Sequence, residues 1–274
     1  MGRWVTALFA AAACAVVPAA MSQSSYARSV VRSVLLPSSA QKHVSVSCPA
    51  GAVAVGAGVK SSGSGTTTLG IWWSGARVAD FRVANARGNP PQRVTVGVTC
   101  LAPSGGNGAP RYRLTRMKKT TVVRGGAQKR VALACPRGTI AAGAGFYLIN
   151  GSLAVRGQML APSAFSFTVR NGSSRPLPAV LFGNCLTVVL PPGAQPLSLH
   201  ARVITETTPI RPGAQSLSRA CPRGWFGLAT GYSLPRGVTL GGSVAVARGG
   251  RWSLTNDGST EALVGLQLEC GRVA

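Results

Sequence analysis

Residues that could perform acid–base or nucleophilic chemistry are scarce in this chain. Its 274 residues include two histidines and five acidic residues. Catalysis of that kind needs a base within reach of a nucleophile, and a third group that orients the base. A Ser-His-Asp arrangement could be assembled only from His43, Asp80 and some serine of the same module, and no Gly-x-Ser-x-Gly motif occurs. The sequence therefore predicts a protein that is not an enzyme and uses no cofactor.

The cysteines have a spacing that favours disulfide bonds over metal binding. One of the seven, Cys14, lies in an amino-terminal apolar segment, and the other six form three pairs about 50 residues apart. No Cys-x-x-Cys motif indicates zinc, so no metal site is expected. Six cysteines allow fifteen pairings, which spacing alone does not exclude, and we choose the one that joins the two cysteines of each pair because it treats the three copies of the sequence pattern alike. We predict bridges that each stabilise the fold by roughly 4 kcal/mol: Cys48 with Cys100, Cys135 with Cys185, and Cys221 with Cys270.

A dense group of cations near residue 115 is a candidate anion-binding site. Its members are Arg111, Arg113, Arg116, Lys118 and Lys119. In a β-strand, alternate residues share a face, so Arg111 and Arg113 point the same way. Such a group attracts anionic polymers. The alternative is an edge strand whose charges prevent pairing with another chain, and the sequence leaves both open.

Two adjacent tryptophans, Trp72 and Trp73, form the second candidate site. An exposed tryptophan can stack on sugar rings or on bases. In a strand, one of the two must face the core and the other the solvent. One of them is therefore a candidate glycan platform, and the alternative is an ordinary amphipathic surface aromatic.

The charge of the chain is strongly positive, with a formal net charge of +24 at pH 7. A surface with this charge attracts polyanions such as an anionic cell-envelope polymer or polysaccharide. Nucleic acid is expected to bind only non-specifically. The alternative is compositional, because arginine far outnumbers lysine in a chain rich in Ala and Gly.

These residues belong to a unit that occurs three times. Each copy opens with Cys-Pro-x-Gly at Cys48, Cys135 or Cys221 and closes at the partner cysteine, with a period of 85 to 87 residues. A fixed period of this length indicates tandem structural repeats. We expect modules at residues 28–108, 109–196 and 197–274.

Alternating apolar residues predict that each module consists of β-strands. Val94, Val96 and Val98 lie in line with Cys100, as they would on the buried face of a strand. Pro-x-Gly predicts a turn with proline second and glycine fourth, and residues 61–68 have loop composition. We therefore predict an all-β fold of three tandem modules, each an antiparallel β-sandwich-like unit of four or five strands. The modules are either separate beads or pack around a pseudo-threefold axis.

Residues 1–27 have the composition of a secretory signal peptide. Arg3 precedes an alanine-rich apolar run, and small residues follow it at Ser25 and Ala27. An earlier cleavage site at Ala19 is the alternative. The run is shorter than the roughly 20 residues that span a bilayer, so no transmembrane segment is expected in the mature chain.

The repeat resembles one found in uncharacterised secreted actinobacterial proteins. The shared features are Cys-Pro-x-Gly, a Gly-rich strand, an aromatic-x-aliphatic-x-Asn element such as Phe81 to Asn85, and a Val-rich strand that ends in cysteine. The resemblance covers all three modules and implies export and a β fold, but no catalytic residues. Phe81 and Phe167 stand where the commonest form of the repeat has tryptophan.

Together these features predict a secreted, non-enzymatic structural or binding protein of the cell surface. It would associate with anionic polymers through its arginine-rich surface. The alternative is a carbohydrate-binding, adhesin-like protein that uses Trp72 or Trp73.

Overall fold

The computed structural model describes residues 26–61, 65–103, 110–194 and 197–274, and it is all-β, as predicted. Its strands are β1 (Tyr26–Leu36), β2 (Gln41–Ser47), β3 (Val53–Ser61), β4 (Thr66–Trp73), β5 (Val78–Asn85), β6 (Gln92–Ala102), β7 (Arg111–Val123), β8 (Gln128–Ala134), β9 (Ile140–Leu148), β10 (Leu153–Ala161), β11 (Ala164–Asn171), β12 (Leu177–Val189), β13 (Leu199–Ile210), β14 (Gly213–Ala220), β15 (Phe226–Ser233), β16 (Val238–Val246), β17 (Gly249–Asn256) and β18 (Ala262–Val273). The expected signal peptide lies outside the described residues except for Tyr26 and Ala27, which belong to β1.

The modules have six strands each rather than four or five. The first, sixth and third strands of a module form one antiparallel layer, and the second, fifth and fourth form another. The strand that precedes each opening cysteine is the second of its module, because β1, β7 and β13 come before it. Residues 66–68, expected in a loop, begin β4, where alternating burial shows an amphipathic strand.

Three six-stranded sheets join these layers across the modules. Sheet I has the order β1-β6-β3-β16-β17-β14, sheet II has β2-β5-β4-β9-β12-β7, and sheet III has β13-β18-β15-β10-β11-β8. At the seams, β3 pairs with β16, β9 with β4, and β15 with β10. Each module therefore shares a sheet with both of the others. The chain closes into one body around a pseudo-threefold axis, and the arrangement of separate beads is excluded.

A bulge in the third strand of each module builds the core at this axis. The register shifts at Val55, Ala142 and Leu228, three equivalent residues that are fully buried. A bulge bends its strand and turns a side chain in a new direction. These residues pack with Leu101 and Leu186 in a central cluster drawn from all three modules. Each module also has a core of its own between its two layers.

The three predicted disulfides are confirmed. Their Cα separations are 5.5 Å for Cys48–Cys100, 5.6 Å for Cys135–Cys185 and 5.7 Å for Cys221–Cys270. One cysteine of each pair follows the second strand of its module, and the other lies in the sixth. Since these strands belong to different sheets, the bridges link sheet I to II, II to III and III to I.

The Pro-x-Gly turn differs from the prediction in its register. The amide of Ala52 donates to the carbonyl of Pro49, so proline is the first residue of the turn and Gly51 the third. Gly51 has a φ of 79°, and its two equivalents have 77° and 79°. Glycine is required there because that position has a left-handed backbone conformation.

Three buried asparagines fix the loops at one end of each module. The side-chain amide of Asn171 donates to the carbonyls of Val123 and Arg175 at 2.9 and 2.7 Å. Asn85 and Asn256 occupy the equivalent positions and also donate to loop carbonyls. Each satisfies carbonyl groups that the ladder of strands leaves unpaired.

Candidate functional site

The two adjacent tryptophans face opposite sides of β4. Trp73 is 4% exposed and packs in the core of the first module, so it is not available as a surface platform. Trp72 is partly exposed on the outer face of sheet II. The platform hypothesis is therefore restricted to Trp72.

Trp72 lies in a cluster of aromatic rings at the seam between the first and second modules. His43 stacks on it with ring centroids 5.2 Å apart and planes 10° from parallel. Tyr147, on β9, meets it edge-on at 5.5 Å. Gly70 leaves room for both rings, because a Cβ there would lie 2.9 Å from Trp72 and 3.2 Å from Tyr147. The seam thus places rings from two modules side by side.

The guanidinium group of Arg82 holds Tyr147, the ring that the second module contributes to this cluster. Arg82 Nη1 donates to the hydroxyl of Tyr147 at 2.6 Å, and its guanidinium lies 5.2 Å from the centre of the same ring. A cation over an aromatic face is stabilised by the ring quadrupole. Arg82 therefore fixes Tyr147 and adds a positive charge beside Trp72.

The buried carboxylate of Asp80 holds His43 on the other side of the cluster. Asp80 Oδ1 accepts a hydrogen bond from Ser45 at 2.6 Å and contacts His43 Nε2 at 3.1 Å. In a catalytic triad, the serine hydroxyl donates to the histidine. Here Ser45 donates to the carboxylate instead, so the arrangement orients the imidazole against Trp72 but does not activate this serine.

The predicted cationic strand forms one edge of the same sheet. β7 is the last strand of sheet II, as the edge-strand interpretation requires. Its register on β12 divides the five cations between two faces. Arg116 and Lys118 lie on the outer face with Trp72, whereas Arg111, Arg113 and Lys119 lie on the opposite face. All five are exposed.

Arg116 connects the edge strand to the tryptophan pair. Its Nη1 donates to the backbone carbonyl of Trp73 at 3.3 Å. Lys119, on the opposite face, reaches the carbonyl of Ala132 in β8 at 3.4 Å. Arg116 thus lies at the border of the outer face of sheet II, and Lys119 contacts β8, the edge strand of sheet III.

One row of cross-strand neighbours on the outer face of sheet II includes two rings, His43 and Tyr147, and one cation, Arg82. His43, Arg82, Gly70, Tyr147 and Val180 are successive cross-strand neighbours. With strands about 4.8 Å apart, the six strands span about 24 Å. We call this surface, from His43 to Lys118, the outer face of sheet II.

The second module contributes positive charge without any negative charge. Residues 109–196 contain twelve Lys and Arg residues and no Asp or Glu. The acids elsewhere are partly neutralised: Arg219 is hydrogen-bonded to Glu206 and lowers the pKa of that carboxyl. The field around β7 is therefore anion-attracting.

This ring cluster occurs at one of the three seams. The residue equivalent to Trp72 is Met159 in sheet III and Val244 in sheet I, by their register with the fifth strands. The backbone repeats, but its surface chemistry does not. The outer face of sheet II is therefore distinct from the other two.

Comparisons with protein-family models and with curated proteins find no match to this chain. Within the described residues, no group of three His, Cys, Asp or Glu side chains could hold a metal ion.

Residues 26–61, 65–103, 110–194 and 197–274 contain no helix that is long and apolar enough to cross a membrane.

The sequence indicates Trp72, Arg116 and Lys118 as candidate residues, but it does not indicate the contacts that surround the tryptophan. Strand parity in β5 could have placed Asp80 and Arg82 on the outer face, since the alternate residues Phe81 and Val83 are apolar. Tyr147 has no such signal, because it belongs to another module.

Proposed function

We propose that the protein is a secreted, non-enzymatic protein that binds anionic polysaccharide of the cell envelope. The observation that supports this most directly is the outer face of sheet II, where Trp72 and Tyr147 lie beside the exposed cations of an acid-free module. Rings stack on sugars, and cations attract the carboxylate or phosphate groups of the polymer. Three disulfides indicate an oxidising environment outside the cytoplasm, which agrees with export.

Co-sedimentation with cell-wall sacculi tests this function. The oxidised protein would be mixed with sacculi at low and high salt, before and after removal of their anionic polymers. Binding that is lost on stripping and weakened by salt supports the proposal. Binding that survives both treatments supports the neutral-glycan alternative, and absence of binding in every condition contradicts both.

Substitution of the outer-face cations is expected to reduce the salt dependence of binding. Arg116→Ala with Lys118→Ala removes two cations that no described acid neutralises. The slope of log affinity for polygalacturonate against log salt should fall by about 1.5. Isothermal titration calorimetry at several salt concentrations measures it. The control, Arg223→Ala with Arg236→Ala, removes two exposed cations of the third module, and an equal change there would show that only net charge matters.

Removal of the Trp72 ring is expected to weaken binding at every salt concentration. A stacking contact of about 1 kcal/mol corresponds to an approximately fivefold loss of affinity for Trp72→Ala. Polygalacturonate and its carboxyl-reduced form would be compared in the same titration. Trp225→Ala is the matched control, because Trp225 is partly buried and also lies beside an arginine, Arg272, at 5.5 Å. Unchanged affinity of Trp72→Ala for both polymers would refute a role for the ring.

A further inference from the structure

A pocket of about 440 Å³ lies at one end of the pseudo-threefold axis. All three modules line it, through their third and fourth strands. It is separate from the outer face of sheet II, because none of the residues that form the ring cluster there lines it: His43, Gly70, Trp72, Arg82 and Tyr147. Pockets of 300 to 1,000 Å³ are the usual size for small-molecule sites.

The pocket results from a change in side-chain size along the axis. Val55, Ala142 and Leu228, at the bulges, belong to the central cluster, which fills the axis. Two residues further along the same strands stand Ala57, Ala144 and Thr230, which are small, and the two alanines line the pocket. The next positions, Val59, Phe146 and Tyr232, form apolar walls. One end of the axis is therefore packed solid, and the other is concave.

The cation Arg156 lines this pocket at a position where the three modules have different residue types. Arg156 is the bulged residue of β10, and the equivalent bulges of β4 and β16 hold Leu69 and Gly241. Bulges often redirect a side chain toward a site. The Arg156 guanidinium donates to the carbonyl of Pro235 at 2.6 Å, which fixes its position at the wall.

The charges around the pocket are consistent with an anionic ligand. Burial raises the pKa of the Tyr232 hydroxyl, and the positive charge of Arg156 opposes that rise, so the two groups interact. Tyr232 thus presents a neutral ring to the pocket. Asp257 also lines it but is solvent-exposed, so water screens its charge more than that of the half-buried Arg156.

We propose that this axial pocket binds one small organic anion with an apolar body. The apolar part lies against Val59, Phe146 and Tyr232, where burial of its surface provides most of the affinity. The anionic group accepts hydrogen bonds from Arg156, which leaves part of its guanidinium fork free beside the Pro235 contact. This site is independent of polysaccharide binding.

The test uses two probes that differ in one group. Anilinonaphthalenesulfonate is an apolar organic anion, and phenylnaphthylamine has the same rings without the sulfonate. Fluorescence titration of the native protein should give one site per chain and about tenfold tighter binding of the sulfonate, as expected for a charge-assisted hydrogen bond. Equal affinity for both probes would contradict the assignment of Arg156.

Three variants locate the site. Ala57→Leu fills the pocket and should abolish binding of both probes. Arg156→Gln should remove the tenfold preference for the sulfonate, and Arg156→Lys should restore most of it. Asp257→Asn should leave binding of the sulfonate equal or tighter, because it removes a negative charge, whereas weaker binding of the sulfonate would contradict an anion-binding site.

A second groove on the outer face of sheet I provides the control. It has a volume of about 400 Å³ and is bordered by Val31, which is 64% exposed. Val31→Ser should leave the binding of both probes unchanged. Loss of binding in Val31→Ser, or retained binding in a folded Ala57→Leu variant, would overturn the proposal. Thr68→Trp at the pocket wall gives the same test if Ala57→Leu does not fold.

Discussion

Gly242→Ala is expected to destabilise the folded protein by about 3 kcal/mol or more, because a side chain there collides with backbone rather than with movable atoms. Gly242 pairs with Lys60 at the seam between β16 and β3. A Cβ at this position would meet the carbonyl oxygen and carbonyl carbon of Val59 and the Cα of Lys60, all closer than 3 Å. The seam would have to open, and with it one of three junctions that close the body.

Guanidinium chloride unfolding at pH 7 measures this effect. The matched control is Gly75→Ala, since a Cβ at Gly75 meets no atom within 4 Å. Its free energy of unfolding should stay within about 0.5 kcal/mol of the native value. If the modules were separate, Gly242 would lie on a free edge, and alanine there would be neutral. Equal stability of the two variants would therefore contradict the closed arrangement.

The second large effect is expected at Glu269, a carboxylic acid buried beside the axis. Glu269 is 0% exposed, and neither oxygen has a hydrogen-bond partner among the described residues. Burial raises the pKa of this carboxyl well above its ordinary value of 4.5. The equivalent residues are neutral donors: Thr99 donates to Ala245 at 2.6 Å and Asn184 to Ala54 at 3.4 Å. We expect Glu269 to be protonated in the folded protein.

The sign of the pH dependence follows from this difference in pKa. Above pH 4.5, the unfolded chain releases the proton of Glu269 while the folded protein retains it. Stability from this group is therefore fully present below pH 4.5 and declines as pH rises, by about 1.4 kcal/mol per unit, until the folded pKa is reached. Glu269→Gln cannot ionise, so it should remove this decline and be more stable than the native protein at pH 6.

Urea unfolding between pH 4.5 and 6 would measure the difference between native and variant stability. Glu261→Gln is the control, because Glu261 is exposed and its substitution should leave the pH profile unchanged. Parallel profiles for the native protein and Glu269→Gln would show that the carboxyl titrates normally. A variant that is less stable than the native protein at all pH values would indicate that the amide does not fit the buried site of the carboxyl group.

Local patterns in the sequence were sufficient for the three bridges and for most of the strands, although the modules have six strands each rather than the four or five predicted. Alternation around Val94 to Cys100 predicts one buried face, and that face points into the core of the first module. The seams could not be predicted, because each depends on very few residue pairs: β4 and β9 pair only at Gly70 with Tyr147 and Ile71 with Phe146. Glycines such as Gly145 indicated close backbone approach but not which strand approaches.

The candidate site was predictable only within one strand. Parity requires Trp72 and Trp73 to face opposite sides, and the apolar neighbour Ile71 favours Trp73 as the inward residue. The partners of Trp72 come from β2, β5 and β9, so their proximity depends on sheet order. Arg156 was not singled out, because its role depends on a bulge that leaves no signal in alternating hydrophobicity.

Shared sheets also limit how many copies of the repeat a gene can usefully encode. A single module would have its third and fourth strands unpaired at two open edges, which favour association with other chains. Two modules would form one seam and leave the same two kinds of edge exposed at its ends. In three modules, the third strand of each pairs with the fourth strand of another, so neither kind of edge stays open, as a closed cyclic assembly requires. We therefore expect this module to occur either as three copies in one chain or as one copy in each of three associated chains.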